Sequence, residues 1–261
     1  MELCLDYSKL KKDALLNYDA VVLLAGHSSV KSCDGNLQGP WKNNVTNFTD
    51  LVEKVGYCKP IIYASSASVY GNSLPGQFHS ETSVKQFVPV NNYDITKYSL
   101  DQQADIFNHS GYNVIGLRFG TVNGWAPVLR TDVMINAMYH SAVTTGKIEV
   151  TNKHIGRALL GIEDLCRGII SCIKNPVPGI YNMASFNTTV DEIASTVGNA
   201  MSVPVVDNGE TPNAYDFGLD CTKFEKTFDF TFTETPATIV ESLQNRYTES
   251  TIVKRDQYRP Y

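Results

Sequence analysis

Long apolar runs are missing from this sequence: stretches such as Ala20 to Ala25 are far too short to cross a bilayer. A basic-then-apolar leader is missing too, since the chain opens Met-Glu-Leu-Cys-Leu-Asp. Its six cysteines include no Cys-x-x-Cys pair, which suits buried thiols in a reducing compartment better than disulfides or zinc. The five histidines are scattered and none has a partner at ligand spacing, so no metal site is expected. Basic clusters are also lacking and the net charge is −5, which argues against a nucleic-acid surface. These absences predict a soluble, cytoplasmic protein with neither membrane nor nucleic-acid partners. A nucleotide ligand stays open, because it needs only one or two well-placed cations.

There is no repeat, low-complexity tract or linker. With 261 residues, 43% hydrophobic and 19% charged, the composition is that of an ordinary globular chain, enough for one α/β domain with or without a smaller lobe. Short apolar strands alternate with segments of helical period, the pattern of a parallel sheet covered by helices. Asp19–Gly26, Pro60–Ser66 and Tyr112–Arg118 read as buried strands, and residues 41–55 and 93–108 as helices between them. Asp164 precedes a helical stripe of Leu165, Ile169, Cys172 and Ile173, and Gly179–Met183 reads as a further strand. Thr188 with Asp191 predicts a capped helix start whose buried face is Ile193, Ala194, Val197 and Met201. Thr235-Pro236 opens a last helix.

A Tyr-x-x-x-Lys spacing stacks both side chains on one helix face. There the ammonium favours the phenolate, so the phenol can act as acid and base near neutral pH. Tyr93 and Lys97 have this spacing, and so do Tyr7 and Lys11. In a chain with 14 tyrosines about one such pair is expected by chance. The first pair reads as a solvated helix face. Tyr93 differs in context, for it opens a helix that follows the strand ending at Ser66. A hydroxyl at the carboxyl end of a parallel strand stands where open α/β sheets bind ligands.

The run Tyr63-Ala-Ser-Ser-Ala-Ser-Val-Tyr-Gly71 resembles the serine motif of the extended short-chain dehydrogenases/reductases, and Asn92-Tyr-Asp-Ile-Thr-Lys97 resembles their Tyr-x-x-x-Lys motif. Asp19–Gly26 is similar to that family's fourth Rossmann strand and Asn43-Asn-Val45 to the helix asparagine after it. Leu117–Gly124 resembles the strand after the catalytic helix, Gly156–Asp164 the arginine-strand-aspartate segment, and Tyr181–Ser185 the stretch before the penultimate helix. The order and spacing of these pieces, over about residues 15–245, carry the resemblance.

The resemblance implies an α/β, Rossmann-like parallel sheet covered by helices, with a small C-terminal substrate lobe. The first unit would take residues 1–125 plus 156–184 and the lobe 126–155 plus 185–247, with 248–261 as a tail. In such an enzyme Ser66 hydrogen-bonds the reacting sugar hydroxyl, and Tyr93 exchanges its proton. Lys97 holds the nicotinamide ribose of NAD or NADP and acidifies Tyr93. Ala25, Gly26 and Asn44 line the cofactor with Tyr93 and Lys97. Ser68, Thr121, Arg130, Asn136, Arg157 and Tyr215 fall on the nucleotide-sugar side, where the planar fork of Arg157 suits a diphosphate. The implied activity is that of a nucleotide-sugar epimerase of the UDP-galactose 4-epimerase kind, or of a reductase. The implied assembly is a homodimer through helices 41–55 and 93–108.

Three departures qualify this expectation. Ala67-Ser68 stand where the dehydratase branch carries Asp-Glu, which argues against water elimination, and Thr121 stands where the epimerases place an asparagine. The glycine-rich turn that cradles a pyrophosphate is not in the sequence, since Ala25-Gly-His-Ser-Ser lacks its second and third glycines. The sheet is therefore expected to be N-terminally incomplete, with its first two strands missing and Glu2–Asp6 as a remnant of the third. Two accounts follow. Either this is a short form or fragment whose partner segment lies elsewhere, or it is a sugar-nucleotide-binding or interaction scaffold that has lost its redox cofactor.

Overall fold

A continuous apolar run has no polar face to offer water, so strands built from such runs must be covered on both sides. That is where the computed structural model, which describes residues 6–71, 77–86, 91–211 and 216–247, places them. The strands are β1 (Val21–Leu23), β2 (Ile61–Ser66), β3 (Phe78–His79), β4 (Val114–Phe119), β5 (Thr121–Asn123), β6 (Ile148–Val150), β7 (Gly156–Gly161), β8 (Gly179–Met183), β9 (Phe186–Thr189), β10 (Val205–Asp207) and β11 (Gly218–Leu219). The helices are α1 (Lys12–Leu16), α2 (Gln38–Trp41), α3 (Asn47–Val55), α4 (Asn92–His109), α5 (Met134–Thr145), α6 (Ile162–Lys174), α7 (Val190–Met201), α8 (Thr222–Phe228) and α9 (Pro236–Arg246).

Strands β1, β2, β4 and β8 form, in that order, a wholly parallel sheet, with Val21 paired to Ile61, Ile61 to Val114 and Ile115 to Gly179. One face is covered by α3 and α4, whose Phe48, Leu51, Val52, Leu100 and Ala104 pack on Ile61 and Tyr63. The other takes α6 and α8, with Cys172, Phe224 and Phe228 against Ile62, Ile115 and Leu117. Beside it, β5, β7 and β9 make a second, mixed sheet. A separate apolar cluster joins α5, α7 and α9 through Ile135, Ile193, Val197, Ile239 and Leu243.

Several local expectations shift. β1 is shorter than Asp19–Gly26: only Val21–Leu23 pairs with β2, and Gly26 beyond it adopts φ +144°, a conformation that side chains disfavour. Residues 42–46 form a wide π turn between α2 and α3, which breaks the single helix expected over 41–55. Such turns insert an extra residue into the ladder, and this one delivers Asn44 to the interior. The N-cap of α7 is Thr189 with Glu192 in a capping box, one residue beyond the expected Thr188–Asp191 pair. Thr188 is instead paired to Arg157 in the sheet. Helix α6 begins at Ile162, ahead of Asp164, and turns Ile173 partly to solvent.

Tyr7 is not on a solvated helix face. It lies buried in a 3-10 turn (Tyr7–Lys9), packs with Leu15, Leu23 and Phe48, and its hydroxyl donates to the Asn43 carbonyl. Of the expected strand remnant, Glu2–Leu5 and the tail at 248–261 lie outside the described residues. Asp6 caps the turn by accepting from the Ser8 amide at 2.9 Å.

Candidate functional site

Ser66 ends β2, where the backbone turns into a 3-10 segment (Ala67–Tyr70). Its hydroxyl accepts from the Ser68 amide at 3.2 Å and donates to the Ser68 hydroxyl at 3.0 Å. Across from it α4 begins. Asn91 caps that helix by accepting from the Asp94 amide at 3.0 Å, which sets Tyr93 in the first turn. Burial pushes the pKa of the Tyr93 phenol up to about 12, while Ser66 and, at longer range, Arg130 work the other way.

Lys97 follows one turn later and is buried at 7% exposure. Its Nζ donates to the Ala64 carbonyl at 2.7 Å and stands 5.8 Å from the centre of the Tyr93 ring. Burial lowers its pKa to about 8, against an opposing pull from Asp101. The expected depression of the tyrosine pKa by the lysine is not what the geometry gives. The ammonium is drawn to a strand carbonyl rather than to the phenol oxygen, and burial dominates both groups.

Ala25 and Gly26 lie exposed at the carboxyl end of β1. Behind them Asn44 accepts from the His27 amide at 2.9 Å and donates to the His27 carbonyl and to Thr96 Oγ1, each at 3.1 Å. It thereby ties β1 to α4. A Cβ on Gly26 would stand 2.7 Å from Asn44 Oδ1, so only glycine lets this tie form. Two buried polar atoms beside it, His27 Nδ1 and Asn43 Oδ1, have no partner.

The expected sugar-side residues are spread more widely. Ser68 adjoins Ser66. Thr121 stands in β5, half-buried. Asn136 is buried and spends its side chain on backbone, accepting from the Gly124 amide at 2.9 Å and donating to the Gly124 and Arg130 carbonyls at 3.1 and 3.0 Å. It closes the loop that carries Arg130. Arg130 itself is held by Asp132 through two bonds of 3.0 Å. Arg157 lies on the central strand of the mixed sheet rather than at an edge; burial lowers its pKa while Asp216 opposes that shift. Tyr215 lies outside the described residues.

Pattern reading missed four groups around the pair. Cys33, buried in a 3-10 turn (Lys31–Cys33), sits close enough to Lys97 to feel its charge, and its carbonyl accepts from Asn92 Nδ2 at 3.0 Å. Asp101 and Arg118, both buried, pair at 2.7 Å, and Tyr70 bridges Arg118 to Asn182 through bonds of 2.8 and 2.6 Å. The only sequence signal among these was Asp101, four residues after Lys97 on the same helix face.

The comparisons fit this geometry. The profile of the NAD dependent epimerase/dehydratase family matches residues 4–184. UDP-glucuronate 4-epimerase 6 of Arabidopsis thaliana is 27% identical over 194 residues, which is 71% of this chain and 41% of that protein. An uncharacterized protein of Methanocaldococcus jannaschii is 31% identical over 163 residues, 60% of this chain and 48% of its own length. The chain thus spans less than half of either relative. Among solved structures, the UDP-glucuronic acid 4-epimerase of Bacillus cereus, in complex with UDP-glucuronic acid and NAD, superposes with a TM-score of 0.77 at 20% identity, covering 92% of this chain and 77% of that one. The UDP-N-acetylglucosamine 4-epimerase of Methanobrevibacter ruminantium M1 gives 0.80 at 19%, covering 93% and 82%. At these identities the structures speak for the fold alone, while the profile spans well over half the sequence and includes both the Ser66 and the Tyr93–Lys97 segments: the chain belongs to the NAD dependent epimerase/dehydratase family.

Proposed function

We propose that this chain acts on nucleotide sugars as an NAD(P)-dependent epimerase or reductase, with Ser66, Tyr93 and Lys97 as its proton-transfer set. The observation that carries the reading is the juxtaposition of Ser66 and Tyr93 at the carboxyl edge of the parallel sheet, near enough for the serine to act on the phenol, with Lys97 buried one turn along the same helix. Ser66 orients a sugar hydroxyl, Tyr93 takes or returns its proton, and the Lys97 ammonium one turn along the helix supplies the positive charge beside them. A bound nicotinamide would supply the hydride chemistry. Ala67 and Ser68 offer no acid–base pair for water elimination, in keeping with epimerisation or reduction.

The cofactor's nicotinamide-ribose end fits the residues present. Among the described residues His27 Nδ1 and Asn43 Oδ1 are buried without partners beside Gly26, and Asn44 ties that loop to α4, the helix that carries Lys97. The pyrophosphate end has no glycine-rich turn in the sequence to receive it. The second reading is a sugar-nucleotide-binding scaffold. On the substrate side, Arg157 would face the diphosphate and Arg130 the sugar, with Thr121 and Ser68 beside them and Asn136 holding the Arg130 loop. Pairing of two copies through α3 and α4 belongs to the same proposal, and sedimentation would test it.

Titration with NAD and NADP, followed by turnover of UDP- and dTDP-sugars, separates the readings. Tyr93→Phe keeps the ring and should keep sugar-nucleotide affinity, while turnover falls by about 10²–10⁴. A parent that turns over, with an equally active Tyr93→Phe variant, would defeat the assignment. No cofactor binding at millimolar concentration would leave the scaffold.

A further inference from the structure

We propose that Asp101 is a positioning residue that holds Lys97 in place and keeps it charged, as the fixed counter-charge of a buried network linking β2, α4 and β4. Its relevance to catalysis rests on the reading of Lys97 given above; the ionisation itself does not.

Asp101 follows Lys97 by one helical turn on the same face. It is fully buried, and both oxygens are engaged: Oδ1 accepts from the Tyr63 hydroxyl at 2.8 Å and Oδ2 from Arg118 Nε at 2.7 Å. Lys97 Nζ donates to the carbonyl of Ala64. Consecutive residues of β2 therefore grip consecutive turns of α4, Tyr63 on Asp101 and Ala64 on Lys97. The space for this grip depends on β4, because a Cβ on Gly116 would overlap the Tyr63 hydroxyl.

The charges point the same way. From its own helix Lys97 faces Tyr93 and Asp101, from the 31–33 turn Cys33, and from β2 the Ala64 carbonyl; Tyr63 of β2 and Arg118 of β4 stand behind Asp101. Burial pushes the Tyr93 phenol up and the Cys33 thiol up, so both stay neutral near pH 7. Among these groups Asp101 alone is anionic, and it serves two cations. Further out, Asp105 acts on Arg118 and Asp94 on Tyr93 and Cys33, but the carboxylate that acts on Lys97 is Asp101; without it Lys97, already lowered by burial, meets the loss most cheaply by giving up its proton.

The test is a pH titration of the Lys97 side-chain nitrogen by NMR on the full chain with ¹⁵N-labelled lysine, assigned with Lys97→Arg, and with neither cofactor nor sugar present. In Asp101→Asn the Lys97 midpoint should fall by a pH unit or more. In Tyr63→Phe, which removes a hydrogen bond and leaves the charge, it should stay within a few tenths. An unmoved midpoint in Asp101→Asn, or equal shifts in both variants, overturns the proposal. Should Asp101→Asn fail to fold, Asp101→Glu carries the test: its retained charge should leave the midpoint within half a unit, and a fall of a unit or more is the contrary result. A chain that never turns over nucleotide sugars would remove the enzyme reading and leave this titration intact. In an active chain, the alkaline limb of the rate should move with the midpoint.

Discussion

Lys97 shows how a single buried cation ties ionisation to folding. The folded chain holds its proton only to about pH 8, whereas the ordinary lysine value is 10.5. Between those values the unfolded chain binds more protons, so stability rises with pH across that window, and the full cost of burial is present below it. Lys97→Met removes the titrating group. Relative to the parent, the variant should look best below pH 8 and lose ground by about 3 kcal/mol across the window, at roughly 1.36 kcal/mol per unit. Urea unfolding of both proteins at a series of pH values measures this. A difference that stays constant with pH would show that burial does not depress Lys97. The residue types at this site were legible because each has a chemical reason for its place: a hydroxyl at a strand end, and a phenol and an amine one turn apart. Asp101 was visible only as one more acid on a helix, since its partners Tyr63 and Arg118 stand 38 and 17 positions away in sequence.

At the scale of elements, α6 is held by a reciprocal tie that no local pattern announces. Asp164, buried in its first turn, accepts from Ser185 Oγ at 2.7 Å, from the amides of Thr233 and Glu234, and from Arg167. Glu234 in return accepts from the Glu163 and Asp164 amides at 2.9 and 3.0 Å, capping the helix from 70 residues away. Burial alone would raise the Asp164 pKa, but the bonds from Ser185, the Glu234 amide, Arg167 and Thr233 outweigh it and hold the carboxyl below its usual range. A lowered folded-state value means stability that is present above about pH 4 and lost as pH falls through the folded pKa. Asp164→Ala should cost about 3–5 kcal/mol at neutral pH, the usual loss when a buried charged partner is removed. The gap between parent and variant should close on acidification. Chemical denaturation at neutral and acid pH reads both; a penalty independent of pH would mean that the carboxyl's charge is not what holds α6. The sequence read Asp164 as a residue before an apolar stripe, near the helix start, without revealing that Ser185, Thr233 and Glu234 would be among its partners.

Across the whole molecule, the apolar packing falls into two parts: clusters on both faces of the parallel sheet, and a second cluster that joins α5, α7 and α9, with Trp125 packed against it. The chain's other tryptophan, Trp41, sits on α2, which leads toward α3 and the sheet. Leu243 is fully buried in the second cluster, so Leu243→Ala should cost about 2–5 kcal/mol. If the lobe of residues 126–155 plus 185–247 is a unit of its own, the Trp125 transition, read in a Trp41→Phe background, should move by that amount. The Trp41 transition, read with Trp125→Phe, should move far less. Identical shifts in both probes would make the chain a single cooperative unit.

What the sequence determined by itself was the parallel, helix-covered sheet and the order of its strands, because unbroken apolar runs separated by helical periods admit little else. It also singled out Ser66, Tyr93 and Lys97 as candidates, since each residue's chemistry is bound to its position at a strand end or helix turn. Only the tertiary structure decided which way Lys97 leans, since that depends on the Ala64 carbonyl across the sheet and on burial that local spacing does not encode. It also decided that Asn136 serves the backbone of its own loop, and that Arg157 lies inside a sheet. The Tyr63–Asp101–Arg118 grip belongs there as well. Its parts come from β2, α4 and β4, and they meet only once Gly116 leaves the Tyr63 hydroxyl room between neighbouring strands.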